Sequence, residues 1–259
     1  MAFRPVNFAR LARFNSAASS SFLDMYETHV DAKIKEAAAK PSSKNIAPSS
    51  FRCARIQWFR LRGVAPDVPR TSDRTLQFTA DIGTACHRII QSNLKEALGD
   101  AWISVKDYLD KFPISYEYTL TEDEDSLETK VAIHDPPIHF ACDGIVFWEG
   151  RYWLLEIKTS EYSAFEELTD IKPQHREQIK IYATLLGLAG VLTMYQDRLY
   201  GSLKCYEVKI SEADKHAVRS KIKHIQDCVE SCIAPDKLPP GDPWCSSSRC
   251  PYFKKCKEW

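Results

Sequence analysis

The segment that decides the fold runs Ile138-His-Phe-Ala-Cys-Asp143-Gly-Ile-Val-Phe-Trp148-Glu149-Gly150-Arg151-Tyr-Trp-Leu-Leu-Glu156-Ile157-Lys158-Thr-Ser160. Two apolar, aromatic-rich runs flank Glu149-Gly150, the pattern of a β-hairpin closed by a two-residue turn. With Trp148 paired to Arg151, stepping back along both strands sets Asp143 opposite Glu156. Side chains alternate along a strand, so Glu156, Lys158 and Asp143 share one face. Carboxylates opposed with Cβ atoms about 4.5–5.5 Å apart repel each other. Among Phe147, Trp153, Leu154 and Leu155 the pair needs a compensating positive charge, and a divalent cation supplies it. Mg²⁺ or Mn²⁺ accepts such hard oxygen ligands and keeps positions open for phosphate and water. Lys158, one pleat beyond Glu156, would stand beside the ion, an arrangement that fits metal-assisted phosphodiester hydrolysis. A plain hairpin with its charges in solvent is the alternative, and this stretch alone does not separate the two.

The chain has 259 residues, 44% of them hydrophobic, enough for one large core or two small ones. It contains no internal repeat and no apolar run long enough to span a bilayer, so a soluble globular protein without a membrane partner is expected. Its formal net charge is 0, which leaves polyanion binding to local patches. Between Pro41 and Thr75, Lys44, Arg52, Arg55, Arg60, Arg62, Arg70 and Arg74 stand against only Asp67 and Asp73. Arginine interleaved with Phe51, Trp58 and Phe59 reads as a nucleic-acid surface, with a solvated helix face as the alternative. Nine cysteines, an odd number with no signal-peptide pattern, point to reduced thiols in the cytoplasm. Residues 1–22 carry Arg4, Arg10, Arg13, several Ser and no acid, a composition that also resembles a mitochondrial transit peptide and makes that organelle the second localisation.

Along the chain, Ser21 to Lys40 has helical composition. Pro48-Ser49-Ser50 supplies an N-cap for a helix from Phe51 to Arg62. The first 49 residues read as an appended arm of unassigned role. Beyond the link Val64 to Arg70, a helix is expected over Ile82 to Leu98. It carries His87 at the edge of its apolar stripe, where core residue and ligand are both open readings. Strands are expected at Ile114 to Thr121 and Lys130 to His134, separated by a solvated acidic run from Thr121 to Glu128. After the hairpin, Pro173 opens a helix reaching about Leu188, on which Gln178 and Tyr182 share a face. Leu203 to Ile210 reads as a strand, and Ser211 caps a helix to about Cys232. The sum is an α+β or mixed α/β fold, helices covering a central sheet.

The C-terminus places Cys245, Cys250 and Cys256 within twelve residues. Such a group binds zinc or an iron–sulfur centre and needs a fourth ligand, for which Cys53 is the candidate. The metal would then staple the basic segment to the tail. Cys86, Cys142, Cys205, Cys228 and Cys232 fall at apolar positions and are expected to be buried.

Cys53 beside Arg and aromatics, His87, Asp143, Glu156-Ile157-Lys158, Gln178-x-x-x-Tyr182 and the three-cysteine tail occur in one order. Residues 50 to 259 thereby resemble the RecB-like branch of the PD-(D/E)xK nucleases, especially the iron–sulfur exonucleases related to the CRISPR adaptation nuclease and to phage exonucleases. The resemblance implies a restriction-endonuclease-like αβββαβ core with a mixed central sheet. Within it, residues 50–75 would be the Cys53-bearing helix and link, 76–233 the nuclease core and 234–259 the cysteine-rich tail. It implies Mg²⁺ or Mn²⁺ on His87, Asp143, Glu156 and the Ile157 carbonyl, catalysis by Asp143, Glu156, Lys158, Gln178 and Tyr182, and a [4Fe–4S] cluster on Cys53, Cys245, Cys250 and Cys256. Arg52, Arg55, Arg60 and Tyr182 would contact DNA. The position that names the motif is Cys142 rather than Pro, and the Cys245 to Cys250 gap is wider than the usual two residues. The expected activity is exonucleolytic hydrolysis of DNA from a free end, acting on single strands, in recombination, repair or phage DNA processing, with a recombination or replication protein as partner. A catalytically idle DNA-binding or assembly module and a zinc-stapled nuclease are the competing readings.

Overall fold

The computed structural model describes residues 17–39, 43–67, 73–123 and 127–259. The Arg- and Ser-rich start up to residue 16, the end of the link at 68–72 and the middle of the acidic run at 124–126 lie outside the described residues. The chain divides into two compact units, Met1–Pro41 with Arg70–Phe78, and Ser42–Pro69 with Thr79–Trp259. In the first, helix α1 (Ala17–Ala39) buries none of its residues. The Arg74 guanidinium meets Asp31 at 2.7 and 2.8 Å and also pairs with Glu27.

The second unit is a mixed α+β fold, a central mixed sheet flanked by helices. After α2 (Ala54–Leu61) and α3 (Arg74–Leu98) come β1 (Trp102–Ile103), α4 (Val105–Lys111) and three strands, β2 (Tyr118–Glu122), β3 (Thr129–Ile133) and β4 (Ile138–Cys142). Then follow β5 (Gly144–Trp148), β6 (Arg151–Ser160), α5 (Tyr162–Glu166), α6 (Pro173–Leu185), β7 (Gly190–Asp197), β8 (Leu203–Lys209), α7 (Glu212–Glu230) and α8 (Phe253–Glu258). The central sheet has the order β1-β5-β6-β7-β8, and β2-β3-β4 form a separate antiparallel sheet. Among the described strands of the central sheet only β6 and β7 run parallel, so α6 is the crossover between them. The expected αβββαβ order is present as α3, then β1, β5 and β6, then α6, then β7.

The hairpin forms as its sequence dictates. Glu149 and Gly150 both take positive φ, 50° and 79°, as a two-residue turn matched to strand twist requires, and Trp148 pairs with Arg151. One feature differs from the expectation. The first run is two strands, because β4 ends at Cys142 in the small sheet and β5 starts at Gly144 in the large one. Asp143 is the hinge between sheets.

On β6, Leu155 and Ile157 pack with Ile90, Leu94 and Met194 under α3. The opposite face carries Leu154 into the main core with Ile179, Ile181 and Ala183 of α6 and Ile222 and Ile225 of α7. The helix ends follow from sequence: Pro173 opens α6, and Ser211 with Asp214 forms a capping box on α7. α2 starts at Ala54 behind a 3₁₀ turn, later than expected, and Cys53 rather than Pro48-Ser49-Ser50 occupies its N-cap.

Residues 43–49 are not an appended arm: Ile46 is fully buried and its N–H donates to the Pro137 carbonyl at 2.8 Å. Strand β7 was missed, because Leu188 to Met194 reads as one more short apolar run beside a helix. The first half of Ile114 to Thr121 is not strand. Cys205 and Cys232 are exposed rather than buried, although Cys142 and Cys228 are interior.

Gly190 lies against the buried Trp153 ring, where an added Cβ would stand 2.5 Å from the indole. Gly190→Ala is therefore expected to destabilise the fold by about 1–3 kcal/mol, the usual cost of overpacking. A chemical-denaturation midpoint equal to wild type would refute that constraint.

Candidate active site

Both ladders that flank Asp143 stop one residue short of it. β3 and β4 pair as far as Thr129 with Cys142, and β5 and β6 as far as Gly144 with Leu155. One step further in each register sets Glu128 on one side of Asp143 and Glu156 on the other. With no ladder partner, Asp143 is fixed by side-chain and backbone donors instead. Its carbonyl accepts from Gln91 Nε2 at 2.7 Å, and its Oδ2 accepts from the Ile157 N–H at 2.6 Å.

Oδ1 of Asp143 is left facing His87 Nδ1 at 3.3 Å, with Glu128 Oε1 3.5 Å from the same nitrogen. One ligand atom from each of the three residues lies within 4.8 Å of the others. His87 Nδ1 is sealed from solvent and aligned for a hydrogen bond with neither carboxylate. Two hard oxygens and an unsatisfied imidazole nitrogen are a donor set that fits a divalent cation such as Mg²⁺ or Mn²⁺. Burial opposes charge on the imidazole, but the Asp143 and Glu128 carboxylates outweigh it and hold His87 up at about 9.

Glu156 is 2% exposed and accepts from Lys158 Nζ at 2.5 Å. Burial pushes the Glu156 carboxyl upward, Lys158 pulls it down and Asp143 pushes it up again. Burial also opposes the Lys158 charge, and Glu156 outweighs it, so the ammonium is retained. Beside Glu156 in register stands Thr193, whose buried hydroxyl has no hydrogen-bond partner. Gln178 and Tyr182 come together as their spacing required, Gln178 Nε2 donating to Tyr182 Oη at 2.6 Å. Tyr182 stacks on Phe140 and feels the charges of Glu156 and Asp143, which places it on the site wall.

The sequence-expected set is thus gathered around Asp143, with two qualifications. Glu128, dismissed with the acidic run, is grouped with His87 and Asp143, whereas Glu156 is engaged by Lys158. At Ile157 the group that meets Asp143 is the amide, not the carbonyl. Carrying the β3–β4 register one residue outward was the signal that would have found Glu128.

The arginines expected on DNA are drawn into the protein. Arg55 is 7% exposed and its Nε donates to the Pro235 carbonyl at 2.7 Å. Arg60 holds Asn45 through its backbone and side-chain oxygens at 3.1 and 2.9 Å. Arg52 pairs with Asp242 at 2.5 Å but keeps part of its side chain exposed. A buried guanidinium bonded to backbone presents nothing to a polyanion, so Arg55 is withdrawn as a DNA contact.

No protein-family model and no curated protein matches the chain. Among solved structures it is similar to SSO0001, at 18% identity and TM-score 0.42 over 83% of this chain and 98% of that one. It is also similar to LHK-Exo in complex with dAMP, at 15% identity and TM-score 0.42 over 73% and 89%. A second structure of LHK-Exo, an alkaline exonuclease from Laribacter hongkongensis, gives 14% and TM-score 0.39 over 76% and 93%. At such TM-scores these likenesses decide neither fold nor activity.

Three of the four cysteines of the expected staple share one pocket. Cys53 is buried at the start of α2, and Cys245, Cys250 and Cys256 line a pocket of about 550 Å³ with Leu238 and Phe253. Burial raises the Cys53 thiol and the charges of Cys245 and Cys256 push it the same way; Cys250 is raised by burial and by the other three. Yet no three of these sulfurs lie within 4.8 Å of one another.

A cation that takes His87 as a ligand must displace the proton the imidazole holds up to about pH 9. Its apparent affinity is expected to climb by up to about tenfold per pH unit through neutrality and level off near that value. The raised pKa also means that the His87 ion pairs stabilise the cation-stripped fold fully below about pH 6.5, and that this is lost as pH rises through about 9. Calorimetric Mn²⁺ titrations in buffers of different ionisation heat count the released proton. An affinity that stays flat from about pH 6 to 8 removes His87 from the ligand set.

Proposed function

We propose that the chain is a metal-dependent deoxyribonuclease, an exonuclease that hydrolyses phosphodiester bonds from a free strand end. The carrying observation is Asp143 held between His87 with Glu128 on one side and Glu156 with Lys158 on the other. Mg²⁺ or Mn²⁺ would be held by Asp143, His87, Glu156, the Ile157 carbonyl and Glu128. When bound, it supplies Lewis-acid polarisation of the phosphate and activation of water.

The protein's own groups do the rest. The amide of Ile157 fixes Asp143 Oδ2, so Oδ1 is aimed toward His87. Lys158 spends one N–H on Glu156 and has two left for the attacking water or a non-bridging phosphate oxygen. Its charge, in a site from which water is largely excluded, opposes the negative charge that builds on phosphorus oxygens. Tyr182, oriented by Gln178, would form the wall on which the strand end rests, and Arg52, which keeps part of its side chain exposed, would meet the incoming backbone.

Lys158→Ala and Glu156→Gln are each expected to lower kcat on labelled single strands by at least about a hundredfold, the scale of losing one stabilising group of this kind. Wild-type protein that binds such strands but leaves them intact with both Mg²⁺ and Mn²⁺ would instead be an idle binding module.

We further propose an iron–sulfur cluster on Cys53, Cys245, Cys250 and Cys256. What supports this reading is that Cys245, Cys250 and Cys256 line one pocket and that the charges of Cys245 and Cys256 reach the buried Cys53 thiol. Protein purified without oxygen is expected to carry iron and acid-labile sulfide, and Cys53→Ser to lose both. Colourless protein containing zinc and neither of them sinks the cluster.

A further inference from the structure

One group of titratable side chains beside the site has no part in the chemistry above. Tyr195 of β7 is the parallel-strand partner of Lys158 and lies on the same face. Its ring is fully buried and stacks against His175 in the first turn of α6, with ring centroids 5.6 Å apart. Tyr195 Oη lies 2.7 Å from His175 Nδ1 and accepts from the Lys172 N–H at 3.2 Å.

These contacts fix the protons. The hydroxyl hydrogen of a buried tyrosine needs an acceptor, and among the described residues the acceptor within reach is His175 Nδ1. Tyr195 therefore donates, Nδ1 is the bare nitrogen, and the imidazole hydrogen resides on Nε2. Burial first, and then the charges of Lys158 and Lys172, hold His175 down at about 3, so the ring is neutral and keeps this one tautomer. Burial holds Tyr195 above its ordinary value, so the donor is retained. Nε2 has no hydrogen-bond partner among the described residues, and it is not sealed from solvent. The second cation here, Lys172, spends only a long 3.5 Å contact on Ser160 Oγ at the end of β6.

A neutral imidazole held by a buried tyrosine, its Nε2–H without a partner among the described residues and under the charges of Lys158 and Lys172, can hold an anion without carrying charge itself. We propose that His175 Nε2–H and Lys172 Nζ bind a non-bridging oxygen of the phosphodiester next to the scissile one, seating the strand relative to Lys158 and Glu156. The inference rests on the nuclease reading and adds a phosphate subsite to it. His175 is a binding residue that sets how the strand lies; Tyr195 is a positioning residue that acts through it.

The test is a cycle between protein and substrate. Single strands carrying one uncharged methylphosphonate at each of the linkages nearest the end are digested by wild type, His175→Ala, His175→Gln and Tyr195→Phe. His175→Ala is expected to raise KM roughly tenfold, the scale of a hydrogen bond to a charged group, with kcat changed less than about twofold. His175→Gln, whose amide N–H reaches toward the Nε2 position, recovers part of the loss, and Tyr195→Phe loses an intermediate amount. At one linkage the methylphosphonate raises KM for wild type and adds nothing to His175→Ala, the non-additivity of a shared contact. If wild type cuts and no linkage behaves in this way, or KM is unchanged in the folded His175→Gln and Tyr195→Phe proteins, the subsite is wrong and the nuclease reading stands. If wild type does not cut any strand, both fall.

Discussion

The structure depends on a strand that leaves one sheet and enters another at an aspartate. Two antiparallel ladders converge on Asp143 and neither includes it, which is why acids one step beyond each ladder, Glu128 and Glu156, arrive beside the same side chain. Three carboxylates meet two cations, His87 and Lys158. Like charges about 4 Å apart cost on the order of 4 kcal/mol even at an effective dielectric of 20. That cost is relieved in part by burial, which pushes the Glu156 carboxyl up to about 7, and in part by the two cations. The same arithmetic keeps His87 and Lys158 protonated against the desolvation that opposes them.

The rest of the architecture exists around that junction. β6 is buried along most of its length, with alternating residues sent under α3 and under α6. Parallel pairing of β6 with β7 obliges the chain to cross over, and the crossover lays α6 on the face that carries Glu156 and Lys158. Gln178, Tyr182 and His175 are brought there by topology, not by nearness in sequence.

Much of this was legible because it is local. The turn at Glu149-Gly150, the register from Trp148 and Arg151, the pairing of Gln178 with Tyr182, and the caps at Pro173 and Ser211 are each set by a few neighbouring residues. What was not legible depends on distant partners. Periodicity says that β4 is a strand but not which sheet it joins, and only its pairing with β3 brings Glu128 beside Asp143. The arginines near Cys53 read as a polyanion surface until Pro235, Asn45 and Asp242, far along or back in the chain, took their hydrogen bonds. β7 was lost because an apolar run after a helix has no period of its own, and its strand character comes from pairing with β6 and β8.

The joining of the segment around α2 to the tail does not wait for a metal. Phe59 stacks on Tyr252 with centroids 4.9 Å apart, Trp58 meets Trp259 edge-on at 5.3 Å, and the Trp58 indole N–H donates to the Cys228 carbonyl at 2.9 Å. Asp67 adds a polar lock: its backbone N–H donates to the Pro251 carbonyl at 2.7 Å, and its carboxylate accepts from the Lys254 and Lys255 amides. Stacked rings of this size contribute about 0.5–1.5 kcal/mol per pair beyond the area they bury. Cys53 and the three tail cysteines therefore sit on segments joined by an interface with its own cohesion. A cofactor there would complete and stiffen an assembled junction instead of creating it. The Asp143 site does not depend on that junction, because the two ladders that define Asp143 are made elsewhere in the chain.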